Sequence, residues 1–107
     1  MTTALKTRLL TEAIGGSRRC MLYFKLHTKA PMYGFPVRDD SMLAKGFIRF
    51  VPEGQLMRLR NGAPMEMVSK LIFIESLTMV TVSKNPCVDD IECAHEKQRR
   101  DSANAQK

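Results

Sequence analysis

Residues 18–27, Arg-Arg-Cys-Met-Leu-Tyr-Phe-Lys-Leu-His, decide how this chain folds, because here the apolar period changes from that of a helix to two. Cys20, Leu22, Phe24 and Leu26 fall on one side of an extended strand, and Arg19, Met21, Tyr23, Lys25 and His27 on the other, since successive strand side chains point to opposite faces. One side suits a core. The other is basic and carries an aromatic ring.

Upstream, Leu5, Leu9, Leu10, Ala13 and Ile14 recur at helical spacing and leave Lys6, Arg8 and Glu12 outside. Thr2 or Thr3 is placed to cap this helix and Gly15-Gly16 to end it. Downstream, residues 28–40 contain Pro31, Gly34 and Pro36. Proline cannot donate to a central ladder, so a loop or an interrupted edge strand is expected around Tyr33 to Val37. Gly46 to Val51 reads as a strand, Pro52-Glu53-Gly54 as a turn, and Gln55 to Arg60 as the hairpin mate. In that mate Met57 and Leu59 share a face, and Arg58 and Arg60 point the other way.

Asn61-Gly62 is a tight-turn dipeptide, because both residues tolerate positive φ. Met65 to Ser69 is expected as the next strand, and Leu71 to Ile74 with Met79 to Ser83 as two more strands or one long bent one. Asn85-Pro86 breaks the pattern. Val88 to Arg100 then reads as a helix, with Asp89 and Asp90 in its first turn and Arg99 and Arg100 in its last, as the helix dipole favours. Its apolar stripe of Val88, Ile91 and Ala94 is narrow, and Asp101 to Lys107 reads as a disordered polar end.

The expected fold is therefore α+β, mainly β: a small curled antiparallel sheet, or an SH3-like or Sm-like barrel, with an N-terminal helix and a weakly packed C-terminal one. A single β-rich domain is expected over residues 1–84, a helix over 85–100 and a tail over 101–107. A length of 107 residues fits one such domain. Few aromatic residues and short strands leave a small core and unpaired sheet edges, so a homo-oligomer is expected.

Charge narrows the range of partners. Residues 1–70 carry twelve Lys/Arg against five Asp/Glu, and residues 71–107 five against six, so the net +6 resides in the folded-looking part. An anionic partner follows, either nucleic acid or an acidic protein surface. The three cysteines Cys20, Cys87 and Cys93 make an odd set without an apolar leader, which points to free thiols in the cytoplasm. The longest apolar run, Leu71 to Ile74, is far below the ~18 residues of a membrane span. No membrane partner is expected.

Arg19, Lys25 and His27 with Tyr23 on one outward face, and Arg58 and Arg60 on another, combine charge with stacking as single-stranded nucleic acids require. Arg49 joins this set from the Gly46 to Val51 strand. Candidate nucleic-acid contacts are thus Arg19, Tyr23, Lys25, Arg49, Arg58 and Arg60. Met65 and Met67, flanking Glu66, suit an adaptable interface. Cys87-x5-Cys93-x-His95 lacks a second close ligand pair, only Cys20 and His27 being left, so no metal and no other cofactor is expected. The acidic cluster Asp89, Asp90, Glu92 and Glu96 serves a helix N-terminus better than acid–base chemistry. No phosphate-loop motif is present.

Two local resemblances add to this reading. A helix, a strand, a Gly-bearing strand from Gly46 to Val51, a strand ending in Asn61-Gly62 and the run Val68-Ser-Lys-Leu-Ile72 resemble, over residues 4–83, the plan of the Sm-like small barrels. That resemblance implies RNA binding by rings of subunits. The run Phe35-Pro-Val-Arg-Asp-Asp-Ser-Met42, with Gly46 and Val80-Thr-Val-Ser-Lys84, resembles the Ser/Lys self-cleaving peptidases. It implies Ser41 as nucleophile and a buried Lys84 as its base. Gln55 stands after Gly54 where that family has an acid, and little chain follows Lys84. A non-enzymatic binding module remains the leading expectation.

Overall fold

The computed structural model describes residues 1–86, so the Val88 to Arg100 helix, the Asp101 to Lys107 end, Cys87, Cys93, His95 and the acidic cluster lie outside the described residues. The elements are α1 (Thr3–Gly16), β1 (Arg18–Phe24), β2 (Met32–Val37), α2 (Asp40–Leu43), β3 (Phe47–Pro52), α3 (Leu56–Arg60), α4 (Met65–Val68), β4 (Lys70–Phe73) and β5 (Leu77–Pro86). The strands form one antiparallel sheet in the order β4-β3-β2-β1-β5. The fold is α+β with an N-terminal helix, as expected. The sheet is open, with β4 and β5 as its two edges, and does not close into a barrel.

α1 starts where Thr2 accepts a hydrogen bond from the Leu5 amide at 3.1 Å, and it ends at Ser17, which takes the left-handed conformation at φ 52°. Its buried face is Lys6, Leu10 and Ala13, the i, i+4, i+7 stripe of a helix. The expectation that Lys6 points outward is corrected. It is 1% exposed, and its Nζ donates to the Leu77 carbonyl at 2.7 Å across the α1–β5 contact. α1 covers one sheet face, packing Leu10 and Ala13 on Cys20, Leu22, Ile48, Phe50, Ile72, Ile74, Leu77 and Val80.

β2 corrects the reading of residues 28–40, for it is the central strand and not an edge or loop. Pro36 is tolerated there because the β1 ladder stops at the Cys20–Gly34 pair, leaving Pro36 paired only with Phe50 of β3. Gly34 is required by close approach: a Cβ at this position would lie 2.1 Å from the Val51 carbonyl oxygen.

Residues 53–60 form no hairpin mate. A single 3-10 turn at Glu53–Gln55 leads into α3, which buries Leu56 and Leu59 at i, i+3 and leaves Met57 exposed. Gly62, at φ 91°, closes α3, with the Gly62 amide donating to Leu59 and the Ala63 amide to Arg58, both at 3.0 Å. This is the Schellman arrangement of a helix end. Residues 65–68 are likewise a helical turn, α4, rather than a strand. Leu56, Leu59 and Val68 cover Phe35, Val37 and Val51 on the second sheet face. Helix and strand consequently hold similar shares of the described residues. Leu71 to Ile74 and Met79 to Ser83 resolve into separate strands, and β5 extends through Asn85 to Pro86.

Candidate nucleic-acid interface

The second sheet face is covered over β2 and β3 by α3 and α4, and no described helix packs on its β1–β5 half. Alternation puts Met21 and Tyr23 of β1 on this side, with Tyr33 of β2 and with Met79 and Thr81 of β5. Met21 stands opposite both Tyr33 and Thr81, and Tyr23 opposite Met79. The five side chains form one continuous patch. Tyr33, Met79 and Thr81 are exposed, and Met21 and Tyr23 half-buried. The patch is apolar with two phenol rings.

Arg19 borders it. Its guanidinium carbon lies 5.0 Å from the Phe35 ring centre and 5.9 Å from that of Tyr33, while Nη2 meets Glu53 Oε1 at 3.1 Å. The ion pair and the stacking fix Arg19 as a spacer between the open patch and the second core. Arg49 is also engaged: Nε donates to Asp39 Oδ2 at 2.9 Å and Nη1 to Ser69 Oγ at 2.9 Å. Arg58 is exposed on α3 and donates to Gln55 Oε1 at 3.2 Å, and Arg60 is exposed at the end of the same helix. Lys25 and His27 are exposed just past β1, and the Lys29 ammonium sits 4.2 Å from the Phe24 ring centre. The six residues selected from sequence therefore divide. Arg19 and Tyr23 share one face of β1, Lys25 lies just past its end, Arg58 and Arg60 share α3, and Arg49 lies with Asp39.

Asp39 is the hub of that last group. It caps α2 through the Met42 amide at 3.3 Å and accepts the Ser41 hydroxyl at 2.9 Å. The Arg49 bond, followed by that of Ser41, holds its carboxyl below the usual carboxylate range. Burial lowers the Lys6 ammonium, with Lys25 adding repulsion and Glu75 opposing it, and burial alone pushes the Cys20 thiol up to about 12. Cys20 is a free cysteine sealed in the first core, so its thiol is a packing group.

Ser41, the nucleophile implied by the peptidase resemblance, spends its hydroxyl proton on Asp39, and Lys84 is exposed on β5. Cys20 and His27 do not assemble a metal site: one is buried in the core, and the other is exposed beyond β1. Among the described residues no group of three or more His, Cys, Asp or Glu side chains is placed to hold a metal ion. Also among them, no helix is long and apolar enough to cross a membrane. Of the methionines singled out, Met65 packs against the second core and Met67 is 64% exposed, joined on that side by Met57 at 62%.

Comparison with protein families, with curated proteins and with solved structures found no match.

Sequence reasoning missed Tyr33 and Met79 as surface residues. The signal for Tyr33 was present in the alternation Tyr33-x-Phe35-x-Val37, but Pro31, Gly34 and Pro36 mask it. The partners of Arg19 and Arg49 were also missed.

Proposed function

We propose that this chain is a small non-enzymatic module that binds single-stranded nucleic acid on the open half of its second sheet face. The observation that carries the reading is the placement of Tyr23 and Tyr33 on adjacent strands within one uncovered patch, bordered by Arg19. Bases stack on exposed rings regardless of sequence, and phosphates follow nearby cations. Tyr23 and Tyr33 act as the stacking platform, Lys25, Arg58 and Arg60 meet phosphates, and Arg19 and Arg49 hold the surface in shape. A homo-oligomeric state and a reducing, cytoplasmic setting belong to the same reading.

The test is fluorescence anisotropy of a labelled single-stranded oligonucleotide titrated at several salt concentrations. Log affinity should fall linearly with log salt. Tyr23→Ala and Tyr33→Ala should each weaken binding by about tenfold, as loss of one stacked base at ~1–3 kcal/mol implies. Arg58→Glu with Arg60→Glu should abolish it while leaving the circular dichroism spectrum unchanged, since both side chains are exposed. Leu59→Ala, at a fully buried position, should instead destabilise the fold by ~2–5 kcal/mol. No binding at low salt, or full binding by the tyrosine variants, overturns the proposal.

A second reading rests on Met57 and Met67, two exposed thioethers beside Arg58 and Arg60. Such a surface suits an acidic protein segment. The tyrosine variants separate the two, because Tyr23→Ala and Tyr33→Ala weaken oligonucleotide binding but leave a protein bound at α3 and α4 unaffected.

A further inference from the structure

β5 is ten residues long and stands at the sheet edge, and among the described residues no strand pairs with its outer side. Its register shifts lie at the two ends, opposite Arg18/Cys20 and Tyr23/Phe24, so residues 79–82 run as a regular ladder on β1. From Leu77 to Ser83 it holds no charge and no proline and includes Thr78, Val80, Thr81 and Val82. The register shift opposite Tyr23/Phe24 leaves Thr78 without a β1 partner, but from Met79 to Val82 the usual protections of an edge strand, namely inward charge, proline and a bulge, are missing. The opposite edge, β4, has four residues and begins with a lysine.

We propose that the outer side of β5 pairs antiparallel with β5 of a second copy of this chain, about a two-fold axis through Val80. The strand is suited to itself. With Val80 opposite Val80, Met79 of each copy faces Thr81 of the other, so each pair shares one sheet face as an antiparallel ladder demands. The same register brings the exposed Lys84 of each copy to the end of the other strand, where the exposed Glu75 stands. Opposite charges therefore meet at both ends of the contact, and a two-fold axis satisfies both at once. Pairing joins two five-stranded sheets into one of ten strands. It also places the two Met79 and Thr81 pairs side by side, so that the open patches of both copies run together. The dimer does not depend on what those patches bind.

The test is sedimentation equilibrium of the full chain, freed of nucleic acid, at micromolar concentration. A species of twice the 12.1 kDa chain mass is expected. Thr78→Lys with Thr81→Lys should return it to a monomer with an unchanged circular dichroism spectrum, because both side chains are exposed in the protomer, and the ammonium added at position 78 would lie toward Lys84 of the second copy while that at position 81 would lie diagonally across from its own counterpart. Register is read in a Cys87→Ser, Cys93→Ser background. There Met79→Cys with Thr81→Cys should give a disulfide-linked dimer under oxidation, and either change alone should not. A monomeric parent, a dimer that survives the double lysine change, or a Met79→Cys chain that cross-links to itself overturns the proposal.

Discussion

Gly34→Ala is the sharpest test of the sheet, because the change adds one methyl group at the point where β2 and β3 approach most closely. The new Cβ would lie 2.1 Å from the Val51 carbonyl oxygen, 2.9 Å from Pro52 Cα and 3.0 Å from Phe50 Cε2. Two of these three atoms are backbone, so no rotamer change relieves the contact. Reaching ordinary van der Waals distance requires the strands to part by roughly 1 Å, which takes neighbouring N–H···O bonds from about 2.9 Å past their useful range. The pairs at risk are Gly34–Pro52 and Phe35–Val51. One or two ladder bonds at ~0.5–1.5 kcal/mol each, together with overpacking at ~1–3 kcal/mol, give a loss of about 1.5–6 kcal/mol. That is a large part of the ~5–15 kcal/mol total stability of a domain.

The control is Gly15→Ala. Gly15 lies within α1 and has no heavy atom within 4 Å of the position its Cβ would take. Alanine in a helix is favoured over glycine by ~0.5–1 kcal/mol, so this variant should be slightly more stable than the parent. Urea unfolding followed by circular dichroism measures both. Should Gly34→Ala unfold within ~1 kcal/mol of the parent, the β2–β3 approach is not as close as described, and the central placement of β2 loses its support.

Two pH dependences follow from the buried and bonded groups. The Cys20 thiol ionises in the unfolded chain near 9.0 but in the fold at about 12, so its share of stability is intact below pH 9 and is lost between pH 9 and 12 at about 1.4 kcal/mol per unit; Cys20→Ala should flatten that alkaline slope in urea titrations. The Asp39 carboxyl, held below 3.8 chiefly by Arg49, stabilises the fold above that value and ceases to do so as pH falls through its lower folded value. Asp39→Asn should therefore reduce melting temperature at neutral pH and leave it nearly unchanged in strong acid, and an equal reduction at both pH values would contradict the ion pair.

α1, β1 and β3 were legible because local signals agree there: Thr2 caps, the period is clean, and no residue type conflicts with its element. Residues 55–60 carried two readings at once. Met57 and Leu59 fit a strand and Leu56 and Leu59 a helix, and periodicity over six residues does not choose between them. Contact with Phe35, Val37 and Val51 chose the helix, and those residues are distant in sequence. Lys6 was misplaced for a different reason. It lies on the Leu10 and Ala13 stripe by spacing alone, and its charge suggests exposure, whereas its side chain is buried and its ammonium reaches the Leu77 carbonyl.

The candidate site shows the same division between what a single strand reveals and what pairing adds. Alternation along β1 was enough to place Arg19 and Tyr23 on one face, but it could not show that Glu53 and the Phe35 ring hold the Arg19 side chain. An arginine held in this way is a poor phosphate ligand, since binding an anion would require giving up a 3.1 Å ion pair. Its contribution is to place positive potential beside Tyr33 while keeping that ring at the border of the patch. Tyr33 in turn is presented only because β2 passes through the centre of the sheet, which Gly34 permits. The proposed stacking surface therefore depends on the same close strand approach that Gly34→Ala would disrupt, and loss of that approach should remove any binding together with stability.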